Sequence, residues 1–223
     1  MFPKAERPNL LVIVVDDMGW SDLSAFGGEA DTPHLDALTA RGVRLTNFHT
    51  SPVCSTTRAM LMTGCDHHEV GMGCMVETMT PEMRGKPGYE GYLTDRASTI
   101  AERLRDAGYL SMMSGKWHLG VEPPYRSLPS AKGFERSYAL LQGEHNHYGA
   151  DQTPQTAGHE GISQYRFDGR ETRYPEGAYS SDFFADKLIE FFNDARTDPR
   201  PFFAYLPFFP LNHPARPLRP LLP

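Results

Sequence analysis

The chain of 223 residues is 39% hydrophobic and 22% charged, with a formal net charge of -6: the make-up of an ordinary globular protein, long enough to bury a substantial core. Its Lys and Arg residues are spread singly, so no basic stripe marks it for nucleic acid or an anionic membrane surface. Three cysteines, Cys54, Cys65 and Cys74, are an odd number at spacings that fit no disulfide framework, which points to a reduced compartment or to chemistry at one of them.

In chain order, the apolar run LLVIVV at residues 10–15 is too short for a membrane span and is followed at once by Asp16 and Asp17. It fits a strand buried on both faces of a parallel sheet. No signal peptide is read, so the chain is expected in the cytoplasm as written, or in the periplasm if the true N-terminus differs. Residues 32–42, TPHLDALTARG, carry a capping Thr, a first-turn Pro and a closing Gly, and predict a short helix; residues 43–49 then read as a strand. The stretch SPVCSTTRAMLMTG places a helix over residues 54–64, with Ser55, Thr56 and Thr57 as capping hydroxyls and Gly64 as its stop.

Residues 98–108 repeat the helix pattern, with Ser98 or Thr99 as cap and Glu102 in the first turn. Residues 109–114 read as a strand leading into GKWHLG. An amphipathic helix follows at residues 181–195, and a strand at 201–206. Helices alternating with apolar strands predict an α/β fold with a mostly parallel sheet. The polar, Gly-rich intervals 78–96 and 143–177 read as long loops of the site-forming kind. The proline-rich end of the chain, residues 212–223, continues neither a helix nor a central strand.

Several residues could carry chemistry. Asp16 and Asp17 would deliver two hard oxygen ligands, suited to Ca²⁺ or Mg²⁺, to the carboxyl edge of the sheet, or would merely end the strand and cap the turn. Cys54 would sit at a helix N-terminus, where free N–H groups favour negative charge, with Arg58 one turn on and able to reach the same anion; a buried small residue is the plainer account of such a cysteine. Lys116 and His118, two apart, would point to one side of an extended backbone and suit anion holding and proton transfer, unless they are a surface Lys and a core-edge His. His213 is a further candidate at a strand end. Cys65, Asp66, His67, His68 and Cys74 match no common zinc spacing, and the stretch from Glu144 to His147 lies in a loop that could line a pocket or be solvated.

Taken in order and at these separations, LLVIVVDDMGWSDLSAFGG, TPHLDALTARGVRLTNFHT, SPVCSTTRAMLMTG, GYLSMMSGKWHLG and FPLNHPARP resemble the sulfatase family, especially bacterial arylsulfatases. The resemblance implies an alkaline-phosphatase-like α/β fold and hydrolysis of small-molecule sulfate esters. It implies that Cys54 is oxidised to formylglycine by a formylglycine-generating enzyme, and that the aldehyde hydrate attacks sulfur. By matching motif, Asp16, Asp17 and modified Cys54 would bind Ca²⁺ in preference to Mg²⁺, and Arg58 would orient the hydrate. Lys116 would hold sulfate, and His118 and His213 would move protons. Thr56 stands where the family's modification motif has proline. The family also draws metal ligands and a second lysine from beyond the matched region, so residues 1–223 are expected to be the N-terminal part of a catalytic domain, inactive alone and with exposed sheet edges. A phosphonate or phosphate monoester hydrolase of the same superfamily, and a non-catalytic fragment, are the alternatives.

Overall fold

A computed structural model of the chain describes residues 7–120, 127–143, 145, 147–148 and 164–209. Its elements in order are β1 (Leu10–Val14), α1 (Pro33–Arg41), α2 (Cys54–Thr63), α3 (Ile100–Asp106), β2 (Leu110–Lys116), β3 (Arg136–Leu140), β4 (Tyr165–Phe167), β5 (Arg170–Thr172), α4 (Ser180–Asp194) and β6 (Phe202–Pro207). They build one six-stranded sheet in the order β1-β6-β2-β3-β4-β5. The first four strands are parallel, and β4 and β5 add an antiparallel hairpin at one edge.

The central strands are apolar on both faces because both faces are covered. From β6, Phe203 and Tyr205 enter a core with Ala59 and Met62 of α2, Ala101 of α3, and Trp117. Ala204 and Leu206 point the other way, into a second core with Phe184, Leu188 and Phe191 of α4. β2 repeats the alternation, with Met113 in the first core and Met112 in the second. At the β1 edge only one face is covered: Leu10, Val12 and Val14 pack inward, whereas Leu11 and Ile13 are 50% and 48% exposed.

The helices start and stop where local chemistry dictates. α3 opens on a capping box: Thr99 Oγ1 accepts from Glu102 N–H at 3.1 Å, and Glu102 Oε2 accepts from Thr99 N–H at 2.7 Å. Thr99, rather than Ser98, is therefore the cap. α2 ends as Gly64 turns left-handed (φ 71°) and returns its N–H to Met60 O. Its start differs from expectation. The cap position is Val53, the first i to i-4 bond is donated by Thr57 to Val53 O, and the hydroxyls of Thr56 and Thr57 bond to Val53 O and Ser51 O. Likewise Thr32 makes no cap bond to α1, and its hydroxyl joins Ser24 and Asp36 instead.

Further expectations are overturned, beginning with burial of β1 on both faces, since its outer face is half exposed. Residues 43–49 form no strand; they run as an irregular segment with Val43 and Phe48 86% and 67% exposed, and apolar alternation without a partner strand does not make a sheet. The interval 143–177 is not all loop, because it contains β4 and β5. The strand expected to end at residue 114 runs on to Lys116, and that extension depends on Gly115. Its φ is 135°, and a Cβ there would lie 2.0 Å from Pro207 O, so only glycine fits. Gly115→Ala is expected to destabilise the chain by about 3 kcal/mol, read as a lower urea midpoint with an unchanged slope.

Candidate functional site

The carboxyl ends of β1 and β2 and the N-terminus of α2 converge on one buried charge cluster. Asp16 follows β1, and its Oδ2 is paired with Lys116 Nζ, from the last residue of β2, and with Arg58 Nη2 at 3.3 Å. Arg58, itself 1% exposed, is locked further: Nη1 donates to Lys116 O at 2.8 Å and Tyr205 Oη at 3.2 Å, and Nη2 donates to Phe208 O at 3.3 Å. Burial alone would raise the Asp16 pKa, but the charges of Arg58 and Lys116 outweigh it and hold the carboxyl below its usual range. Tyr205 titrates above an ordinary tyrosine because it is buried.

Beside this cluster, Cys54 is the first residue of α2, ahead of the helix's first i to i-4 hydrogen bond. Its Sγ lies 3.2 Å from His118 Nδ1 and 3.8 Å from Met75 Sδ. On the far side of the ring, His118 Nε2 is 3.2 Å from each carboxylate oxygen of Glu77. The ring is 4% exposed, and its backbone is left-handed at φ 54°, so His118 reaches the site through a turn rather than through extended alternation with Lys116. With Nε2–H donated to Glu77, Nδ1 is left facing residue 54. Burial would raise the Cys54 thiol, but the His118 hydrogen bond and charge and the nearby Lys116 prevail and lower it. Burial would lower the His118 pKa, but its bonds to Cys54 and Glu77 prevail and raise it. Both shifts favour a thiolate–imidazolium pair.

The structure thus brings together Asp16, Cys54, Arg58, Lys116 and His118. Two expectations about them change. Arg58 is fastened to Asp16, Lys116 O and Phe208 O, not turned back to residue 54, and Asp17 is exposed with a left-handed backbone at φ 55°. His213 lies outside the described residues. Glu77 escaped the sequence reading: it sits in a single 3-10 turn, Val76–Thr78, 41 positions from the histidine it grips, and nothing in its local pattern marks it.

The remaining candidate groups lie elsewhere. His145 Nδ1 is 2.8 Å from Tyr165 Oη, and His147 Nδ1 is 2.7 Å from Ser180 Oγ with its ring stacked on Phe209, so both belong to the aromatic packing around α4. Just beyond the C-terminal end of α2, Asp66, His67 and His68 hold one donor atom each within 4.8 Å of one another. Cys65 is turned away, its thiol on Thr63 O, and Cys74 is not in the group.

The chain resembles known proteins over most of its length. The chain is 45% identical over 222 residues to an uncharacterized sulfatase of Schizosaccharomyces pombe, covering 95% of this chain and 40% of that one. It is 40% identical over 203 residues to the arylsulfatase of Klebsiella aerogenes, covering 91% and 42% respectively. The crystal structure of Ps i-CgsB in complex with k-i-k-neocarrahexaose superposes with a TM-score of 0.72 at 25% identity, over 94% of this chain and 46% of that one. The fold is the α/β fold of sulfatases and alkaline phosphatases, and the chain spans about two fifths of the length of these curated relatives. With the sulfatase family model matching residues 8–216, and with Asp16, Cys54, Arg58, Lys116 and His118 gathered at one sheet edge, the chain belongs to the sulfatase family.

Proposed function

We propose that the Asp16–Cys54–Arg58–Lys116–His118 cluster is the anion-holding and nucleophile-bearing part of a sulfuric ester hydrolase site acting on small sulfate esters. The observation that carries this reading is Cys54 at the head of α2 with His118 Nδ1 3.2 Å from its Sγ, beside the Lys116–Asp16–Arg58 cluster. A helix N-terminus and two buried cations, only one of them offset by Asp16, make a site for a sulfate monoanion. At about 4 Å and an effective dielectric near 20, the one net positive charge there contributes about 4 kcal/mol of Coulomb attraction.

Conversion of Cys54 to formylglycine, by a formylglycine-generating enzyme as the partner, would supply a hydrated aldehyde whose one oxygen attacks sulfur and whose other, on losing its proton, expels sulfate. The chain's own residues would do the rest. His118 Nδ1 faces the position-54 side chain and takes a proton from it, while Glu77 on Nε2 keeps the ring in that tautomer and stabilises the imidazolium. Lys116 Nζ shifts from Asp16 to a sulfate oxygen and offsets charge as it moves toward the leaving group. Arg58 keeps Lys116 and Asp16 in register. His213 would protonate the leaving oxygen, by family resemblance.

Asp16 and Asp17 are the carboxylates offered to Ca²⁺, in preference to Mg²⁺. A calcium ion takes about six to eight oxygens, and Asp16 is already engaged by two cations while Asp17 is exposed. The described residues therefore do not fit a complete calcium site, and no step here runs through a metal.

Turnover of an aryl sulfate against an aryl phosphonate, with peptide mass spectrometry at Cys54, tests the reading. An aldehyde at Cys54 together with preference for the sulfate supports it. Preference for the phosphonate favours phosphonate or phosphate monoester hydrolysis, which uses the same anion-binding groups, and an aldehyde with no turnover of either marks the chain as non-catalytic by itself. In an active preparation, Cys54→Ala should abolish turnover and Lys116→Ala should lower kcat/KM by about 10²- to 10³-fold.

The unmodified thiol gives a second check. With the Cys54 pKa lowered and that of Cys74 raised by burial, alkylation of Cys54 by iodoacetamide should rise at lower pH than alkylation of Cys74. His118→Gln should move the Cys54 profile upward, and coincident profiles for Cys54 and Cys74 in the wild-type chain would contradict the pairing.

A further inference from the structure

The turn that follows α2 carries three consecutive side chains with metal-binding chemistry at the helix end opposite Cys54. Asp66, His67 and His68 present one carboxylate oxygen and two imidazole nitrogens, all within 4.8 Å of one another. Tetrahedral ligands about 2.1 Å from a zinc ion stand about 3.4 Å apart, so small side-chain rotations close the set. The Asp66 Oδ1 to His68 Nδ1 distance is already 3.1 Å, and an ion between them would take the place of the proton they now share.

The surrounding groups prepare both rings as ligands. His67 Nδ1 lies 3.0 Å from Met72 O. A carbonyl can only accept, so Nδ1 carries the hydrogen and Nε2 of the neutral ring keeps its lone pair. Such an outer hydrogen bond fixes the tautomer of metal-bound histidines. His68 Nε2 lies 3.3 Å from Tyr89 Oη, a partner for the hydrogen that Nε2 carries when Nδ1 binds metal. Asp66 Oδ1 also accepts the His68 backbone N–H at 2.9 Å, which holds the carboxylate over the turn.

We propose that Asp66, His67 and His68 bind one divalent transition-metal ion of the zinc class, tying the end of α2 to the segment that carries Met72 and Tyr89. Two imidazoles and one carboxylate suit Zn²⁺, Ni²⁺ or Cu²⁺ and not Ca²⁺, which wants oxygens in greater number. Three protein ligands leave a fourth position for water. The site is separate from the sulfate-ester reading, since ten residues of α2, about 15 Å of helix at 1.5 Å per residue, lie between Cys54 and Asp66.

The test is calorimetric titration of the untagged 223-residue chain with ZnCl₂ and, separately, CaCl₂. Soft donors are removed in a Cys54→Ser, Cys65→Ser, Cys74→Ser background whose fold is checked by far-UV circular dichroism. One zinc equivalent should remain in that background. It should weaken at least tenfold in Asp66→Asn and disappear in the double variant His67→Gln, His68→Gln, with no calcium heat assigned to these residues. Asp66→Asn keeps an acceptor for the His68 N–H, so its metal-free melting temperature should match the parent and separate loss of a ligand from loss of the turn. Zinc should raise the melting temperature of the parent and not of the double variant. Failure of the cysteine-free chain to bind at about 100 μM zinc, or unchanged zinc binding in the double histidine variant, overturns the assignment.

Discussion

Everything at the candidate site turns on one buried carboxylate. Asp16 accepts from Lys116 and Arg58 at once, and those residues come from the ends of β1 and β2 and from the first turns of α2. Removing three charged groups from water costs several kcal/mol each, a penalty that apolar residues of similar volume would not incur. The arrangement is helped by further bonds at the guanidinium ends: Lys116 O, Tyr205 Oη and Phe208 O accept from Arg58 Nη1 and Nη2, and only the buried Nε–H is left without a partner among the described residues. The cluster thus carries two cations against one carboxylate, a net positive charge at the sheet edge.

Topology puts those charges in one place. Parallel strands deliver their carboxyl ends to the same sheet edge, and β1, β6 and β2 lie side by side. Asp16, Phe208 and Lys116 therefore arrive together, although they are far apart in the chain. The α2 N-terminus faces the same edge, bringing Cys54 and the free N–H groups of its first turn. β4 and β5 lie at the opposite side of the sheet, and β4 serves the second core, where Tyr165 packs with Tyr138 and Phe184. The buried charge cluster and the aromatic packing around Tyr165 thus occupy different parts of one sheet.

Much of this was legible in the sequence, and the failures have physical causes. The runs at β1 and β6 announce parallel strands, but burial on both faces holds for β6 and not for β1, which lies at the sheet edge with Leu11 and Ile13 half exposed; the α3 capping box is written out as Thr99 and Glu102. β3 begins with Arg136 and Ser137, and β4 and β5 have three residues each, too few for any periodicity. Residues 43–49 carry apolar side chains that in the described structure meet solvent. Motif order brought Cys54, Arg58, Lys116 and His118 to notice, but not their directions. Arg58 serves Asp16, and His118 turns through a left-handed backbone to meet Cys54 and Glu77. Such contacts depend on tertiary placement, which local pattern does not encode.

Thr56 shows how far a departure from a family motif matters physically. It is the third residue of α2, and its N–H precedes the first i to i-4 bond, which Thr57 donates. A proline at that position would lose a hydrogen that the helix ladder does not use, so helix formation alone does not choose between the two. What threonine adds is its hydroxyl, 2.9 Å from Val53 O and 2.6 Å from Ser51 Oγ. Those bonds brace the loop immediately ahead of Cys54 and leave its Sγ against His118. The departure therefore acts on the approach to the cysteine, through residues 51–53, and not on the helix that places Cys54 beside the charge cluster.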